Sequence, residues 1–504
     1  MGEVSGGDMG NQSQWIQESE EGSGSGTWTL VLDAAHAVID ASLRAGGVPT
    51  AQQLDLIRAV PIASFRDRPH SERRAVMAGQ IMALSRTGMH EEAFELAEAA
   101  AIVRPSRLDF DLSVEEIMAF QSAISEAFLG AGYQSRALEF AMRMVNYGES
   151  GGAHPRWQHR ALGQLASAHA LNGTFADAKR TLKQQRALVT AQGWDTNESD
   201  YLGSMAEAVL AFMSLDAKAS ASVAKRLRAR VASDPTSRSL VDLLDAVALM
   251  LNGDPYGASA LAVRVAQGTS QPMGPRLIQD FGVMLQAFIL LQEHEPMRVL
   301  GLLRGMQPSE HHLICPAVAR AGAYLQMGEY QNALSETRDC VKRRTKHNIW
   351  FLPYALLCRA IANMRLGHEA TALRDAGAAL AHVRQSPDLS AIFAQFNADD
   401  LTALFDLVDK RIPKSVANTA PFRKALERAG GTNNRVLEIP KLSKRESIVA
   451  HELRKRAGFA EIAKELHVSS GTVRSQAGAI YRKLGVDNRE EAVHRLESLG
   501  FYEL

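Results

Sequence analysis

The chain has 504 residues, enough for two or more domains with ample core. Lys plus Arg and Asp plus Glu balance at 56 each, so no global field draws it to nucleic acid and any basic footprint has to be local. The three cysteines, Cys315, Cys340 and Cys358, form an odd count without metal-ligand spacing and read as buried thiols of a reducing compartment.

At the N-terminus no charged region precedes an apolar run, and no stretch reaches the length of a membrane span. This places the chain in the cytoplasm, away from membrane. Residues 1–26 carry Glu3, Asp8, Glu18, Glu20 and Glu21 but no Lys or Arg, and end in Gly22-Ser23-Gly24-Ser25-Gly26. Such a segment reads as a disordered acidic leader. Trp15 and Ile16 offer a docking spot in it, although a plain tail is the simpler reading.

Residues 27–408 are rich in Ala and Leu and almost free of period-2 alternation, which predicts helices throughout. A repeat emerges as a small turn residue followed five positions later by Ala: Gly88 with Ala93, Gly132 with Ala137, Gly173 with Ala178, Gly253 with Ala258, Gly328 with Ala333, and Gly367 with Ala372. Two degenerate copies are expected near Asp216 with Ala221 and near Glu293. The interval averages roughly 40 residues, the length of two helices and a loop. Gly lets the first helix stop and turn sharply, and Ala lets the second pack close to it.

These units resemble tetratricopeptide repeats. The clearest copies run Ala317-x-x-x-Ala321-x-x-x-Leu325-x-x-Gly328-x-Tyr330-x-x-Ala333 and Ala161-Leu162-Gly163-x-Leu165-Ala166-x-x-x-Ala170-x-x-Gly173-x-Phe175-x-x-Ala178. The resemblance implies stacked hairpins with a long concave surface, suited to a regulatory protein, peptide or small ligand. An irregular helical domain without true repeats stays open as the alternative. Residues 27–66 are expected to add a capping hairpin and residues 394–408 a closing helix. Trp157 with Arg160, and Trp350 with Tyr354, are either anchors on the concave face or hairpin core.

Pro413, the stretch from Ser415 to Pro421, and Gly430-Gly431-Thr432-Asn433-Asn434 mark residues 409–441 as a linker, with a short helix expected at 421–429. No phosphate-binding loop, Gly-x-Ser-x-Gly or His-Glu-x-x-His motif occurs, and no strand–helix alternation suggests a receiver domain. His311-His312 beside Cys315 is a poor metal site, since adjacent helical residues point about 100° apart. No enzyme, cofactor or metal is expected.

Residues 442–504 hold four short helices by their start and stop signals. Ser443 and Glu446 have capping-box spacing. A short helix is expected at 460–466, then one at 470–484 capped by Ser469 and closed by Gly485, then a last at about 489–499 ending at Gly500. On the third helix Val473, Ala477, Ile480 and Leu484 form one apolar stripe. The opposite face carries Gly471, Arg474, Ser475, Gly478 and Arg482, long cations beside small residues, as a major groove requires.

This stretch resembles the LuxR-type helix-turn-helix. The match rests on Leu442-Ser443-x-Arg445-Glu446, Glu461-Ile462-Ala463, Leu466-x-Val468-Ser469, Thr472-Val473-Arg474, Ile480-x-x-Lys483-Leu484-Gly485-Val486 and Arg489-x-Glu491-Ala492-Val493. It implies a bacterial transcription regulator whose third helix reads double-stranded DNA, whose fourth supports a homodimer through Val493 and Leu496, and which works with the transcription machinery. By position, Arg474 and Ser475 would face bases, with Gly471, Gly478 and Arg482 on the same face, while Ser470, Thr472, Lys464 and Lys483 would hold phosphates. Gly458 departs from the usual Ser or Thr cap, and Ile448, Gln476 and Ala479 replace a common Glu, His and Asn.

The expectation is thus an all-α chain: a tetratricopeptide-like solenoid followed by a four-helix LuxR-type reader. An interaction scaffold with a vestigial helix-turn-helix is the competing function.

Overall fold

The computed structural model describes residues 24–43, 49–61, 67–102, 112–195, 201–229, 237–269, 275–308, 313–342, 348, 350–385, 389–413, 418–433, 442–455, 457–484, 486, 488–498 and 501–502. Among the described residues the chain is all-helical, without strands. The leader up to residue 23 and the His311-His312 pair lie outside them. No helix among the described residues is long and apolar enough to cross a membrane, and they contain no cluster able to hold a metal ion.

Helices α1 (Gly24–Leu43) and α2 (Ala51–Arg58) precede a series of helix pairs. These are α3 (His70–Arg86) with α4 (His90–Ile102), α5 (Val114–Gly130) with α6 (Gln134–Gly151), α7 (Pro155–Asn172) with α8 (Phe175–Ala191), and α9 (Tyr201–Met213) with α10 (Ala217–Arg228). There follow α11 (Ser237–Leu251) with α12 (Pro255–Ala266), α13 (Arg276–Gln292) with α14 (Pro296–Leu302), and α15 (Pro316–Gln326) with α16 (Tyr330–Glu336). After the short α17 (Arg338–Lys342) comes α18 (Phe351–Arg365) with α19 (Glu369–Gln385). A 3-10 segment (Leu389–Gln395), α20 (Ala398–Arg411) and α21 (Ala420–Asn433) close the series.

The turns inside these pairs share one geometry. Gly88, Gly132, Gly173, Gly253, Gly328 and Gly367 all sit in the left-handed region, at φ from 74° to 84°, where glycine carries no Cβ penalty. The next residue donates its N–H to the carbonyl five residues back, as Met89 does to Leu84 (2.9 Å) and Glu329 to Tyr324 (2.8 Å), closing a Schellman motif. That same residue opens the second helix, its carbonyl accepting from Ala93 (3.0 Å) or Ala333 (3.1 Å). One residue therefore ends one helix and starts the next, with no slack between. The alanine five positions after each glycine is fully buried in all six pairs.

The two degenerate copies obey the same rule in a shifted register. Leu215 (φ 56°) and His294 (φ 57°) take the glycine position, and Asp216 and Glu295 make the closing bonds to Ala211 and Leu290 (both 2.9 Å). Five positions on, Ser220 and Val299 are fully buried. Ala221, expected there, is exposed. The hinge residue, not the nearest alanine, sets the register, and a non-glycine hinge costs about 1–2 kcal/mol.

The chain divides into two compact units. The first holds the helices up to Leu210 with Ser222–Val241 and Gln267–Asp280; the second holds Ala211–Ala221, Asp242–Ala266 and the chain from Phe281 onward. In the first, α3 packs on α5 and α5 on α7, while α4 meets α5 and α6 meets α7. Helix α1 lays Val31, Ala34, Ala35 and Val38 inward and packs on α3. Gly79 makes that approach possible, since a Cβ there would lie 2.8 Å from the Ala35 Cα. In the second unit α15 packs on α18, with α14 against α15 and α16 against α18. Within each unit these pairs thus bury their apolar faces on their neighbours, as solenoid repeats must.

Trp157, Arg160, Trp350 and Tyr354 are all buried. Arg160 donates to Ser122 Oγ (2.7 Å) and the Ser42 carbonyl (3.0 Å) and pairs with Glu126, which satisfies a charge that burial would otherwise penalise. The three cysteines are buried and form no disulfide, with Cys315 and Cys340 Sγ atoms 3.6 Å apart. Hydrogen bonding to Cys340, then burial, holds the Cys315 thiol well above the usual range. Instead of one helix over 394–408, the 3-10 segment comes first and Asn397 starts α20, its side chain accepting from Asp399 (2.8 Å) and Asp400 (3.3 Å). Helix α21 packs on α20 and on the 3-10 segment.

Candidate nucleic-acid interface

The C-terminal helices are α22 (Lys444–Arg454), α23 (Phe459–Glu465), α24 (Ser470–Leu484) and α25 (Arg489–Ser498). Ser443 caps α22 reciprocally: its N–H donates to Glu446 Oε2 (2.6 Å) while its Oγ accepts from the Glu446 N–H (3.3 Å). Gly458 has no side chain to cap α23, but Glu461 reaches back to accept the Gly458 N–H (2.8 Å). Half of a capping box is therefore kept.

Leu466 and His467 make the turn between α23 and α24. His467 is left-handed (φ 53°), and Val468 donates to the Ala463 carbonyl (2.9 Å). Ser469 Oγ then accepts the Thr472 N–H (3.0 Å) and shares a bond with the Thr472 hydroxyl (2.8 Å), which caps α24. The stripe Val473, Ala477, Ile480 and Leu484 is buried as expected, against Val449, Ala450 and Leu453 of α22 and Ile462 and Ala463 of α23. Gly485 and Gly500 lie outside the described residues.

This core turns one face of α24 outward. Ser470, Gly471, Thr472, Arg474, Ser475, Arg482 and Lys483 are exposed, and Gly478 is half-buried. A Cβ built on Gly478 would meet nothing within 4 Å. Glycine inside a helix costs roughly 1 kcal/mol relative to alanine, and the packing of the domain gives no reason for it here. It leaves a smooth, low stretch of helix between Arg474 and Arg482.

The cations divide into two groups. Lys455 is held between Glu452 (2.8 Å) and Glu465 (3.0 Å), and Arg454 lies over the Tyr502 ring at 5.0 Å. Arg489 donates to the Leu453 carbonyl (2.8 Å) and also bonds that of Ala457, so it caps the C-terminal end of α22. Lys483 donates to Glu446 Oε2 at 2.6 Å. That bond, with the Ser443 N–H, holds the Glu446 carboxyl below the usual glutamate range. By contrast Lys464, Arg474 and Arg482 make no ion pair among the described residues.

On α25, Leu496 is fully buried in the domain's own core and Val493 is partly buried against it. The signals that sequence reasoning missed are the Lys483–Glu446 pair and the Arg489 cap, whose partners stand 37 and 36 residues apart. Two further cations, Lys444 and Arg445, are exposed at the start of α22.

No curated protein matches the chain significantly. The model of the family described as bacterial regulatory proteins, luxR family, matches residues 440–496. Residues 440–496 therefore form a LuxR-family helix-turn-helix domain, which supports a DNA-binding transcription regulator.

Proposed function

We propose that the protein reads a two-fold DNA site through α24 and that its helical repeats carry a regulatory partner. The observation that carries the DNA reading is the outward face of α24: two cations without ion pairs, Arg474 and Arg482, flank an unpacked glycine, Gly478. Long donors beside a low helix surface suit close approach to base edges in a major groove. Arg474 and Ser475 face bases, with Gly471, Gly478 and Arg482 on the same face. Lys464, Ser470 and Thr472 hold phosphates at the positive end of the helix. Lys483 contributes from its pair with Glu446, which fixes its position, and its side chain stays 40% exposed.

Two copies pair through α25 on DNA, Val493 touching the partner and Leu496 supporting it from within. The repeats bind a protein, peptide or small ligand and shift which arrangement of readers is populated, and the bound dimer engages the transcription machinery. Binding of the full chain to enriched genomic sites, with and without Arg474→Ala plus Arg482→Ala, tests this. The expected result is sharp sites with a two-fold motif, affinity reduced more than tenfold in the double variant, and a salt dependence shallower by about two charges. Indistinguishable binding by both proteins overturns the reader and favours a scaffold.

A further inference from the structure

In the second unit the first helices of successive pairs present a row of side chains on one face. Phe288 of α13 lies 6.2 Å from Tyr354 of α18, ring to ring. Gly322 of α15 is flush against the same tyrosine, since a Cβ there would come 2.8 Å from its hydroxyl. This face is not bare. Phe396 lies against Tyr354, ring centroids 4.6 Å apart and tilted by 32°, and Ala391, Ala394 and Gln395 border a recess whose other walls include Phe212 of α9, Met250 of α11 and Gln292 of α13. The 3-10 segment Leu389–Gln395 therefore packs on α21 and, through Ala391, Ala394 and Gln395, borders the first helices of these pairs.

We propose that this face is a groove for a short apolar-aromatic peptide, and that the chain's own residues 389–396 are its resident occupant, exchangeable for such a peptide in trans. The inference rests on the reading that the repeats bind a regulatory partner, and it names the partner's chemistry: a short segment with small and aromatic residues each recurring every third position, as in Ala391-Ile392-Phe393-Ala394-Gln395-Phe396. Burial of Ile392, Phe393 and Phe396 holds the occupant in place. Its fit is incomplete. Gln395 Oε1 and the Tyr354 hydroxyl are buried without a hydrogen-bond partner among the described residues, and each such group subtracts from the docking free energy. A 3-10 segment also has poorer internal hydrogen bonds than an α-helix. A competing peptide with an apolar residue in place of Gln395 removes one of these defects.

The occupant is also tied to the helices C-terminal to it. Phe393 meets Phe405 of α20 and Phe422 of α21, both at 6.1 Å, so its release loosens the last helices before the reader domain begins at Leu442.

The test uses the full chain and a fluorescent peptide of sequence Leu-Ser-Ala-Ile-Phe-Ala-Gln-Phe, with a scrambled control. Because apparent affinity scales with the fraction of open groove, Phe396→Ala should bind the peptide at least tenfold more tightly than wild type, and Gln395→Leu, which improves the resident fit, more weakly. Hydrogen exchange supplies a readout independent of folding in the variants: wild-type amides of 391–396 should exchange at least tenfold faster than those of α18. No specific peptide binding to any form, or protection of 391–396 equal to that of α18, overturns the proposal. Peptide binding that leaves DNA affinity unchanged upholds the groove and overturns instead the reading that the repeats govern the reader.

Discussion

At Gly328 and at His467 the chain performs the same operation. A helix ends, one residue goes left-handed, and the next residue bonds back five positions, Glu329 to Tyr324 and Val468 to Ala463. The two sites differ in how the second helix starts. In the repeats that next residue is itself the start of the second helix, and the position five beyond the hinge, Ala333, is buried. In the reader one more residue intervenes, Ser469, whose carbonyl accepts from Val473 (3.2 Å). One residue is about 100° of helix rotation. The fifth position, Thr472, consequently faces solvent, and the sixth, Val473, faces the core. A single added residue thus separates a hairpin that folds back on itself from a helix that presents a face outward.

The most severe way to break this comparison is to delete Val468, which returns the reader to the repeat register. The stripe Val473, Ala477, Ile480 and Leu484 then rotates out of the core. The expected loss exceeds about 4 kcal/mol, seen as disappearance of the reader's melting transition and of DNA retention while the repeat transition stays. Next in size, Ala178→Leu overfills a joint and should destabilise the repeats by about 1–3 kcal/mol. Thr472→Val, at the matching position of the reader, should stay within about 0.5 kcal/mol; equal penalties in thermal melts would refute the rotation.

Glu446→Gln removes the charge that joins the α22 cap to Lys483, an effect of about 1–2 kcal/mol at neutral pH. The sign follows from the depressed carboxyl. Its stabilisation is complete above the ordinary glutamate range and is lost as pH falls toward the folded value, because the unfolded chain takes up the proton first. Wild type should therefore show a steeper acid limb in stability than the variant, and parallel curves in pH-dependent melts would exclude the pair as a source of it. At the low end of that range is the hinge residue itself. Gly328→Ala meets open space, so its cost of about 1 kcal/mol is purely backbone, and His467→Gly should return a similar amount. Differential scanning calorimetry resolves both, and opposite signs are the expectation.

Much of the fold and of the reader's face was legible in one dimension because its determinants are local. Glycine followed five residues later by alanine marks six joints, and Ser443 with Glu446, or Ser469 with Thr472, marks helix starts within one turn. The degenerate joints near Asp216 and Glu293 were expected, but their exact hinges, Leu215 and His294, hid because nothing in their side chains advertises a left-handed backbone. The engagement of Lys483 and Arg489 hid for another reason: their partners are distant along the chain, and a cation looks alike whether it meets a phosphate, a carboxylate or a helix end. Likewise Trp157 is a residue type that a binding groove uses, and only packing shows it to be core.

The joints that lack slack have a consequence for how such a chain tolerates change of length. A one-codon insertion beside Gly173 or Gly367 cannot be absorbed locally, because the residue after the hinge already belongs to both helices. It turns the whole downstream helix by about 100° and brings the wrong side to its neighbours. Insertions between pairs face no such shared residue. Gains and losses of length are therefore expected to be confined to the connections between repeats, leaving the spacing within each pair nearly constant while the period from pair to pair drifts.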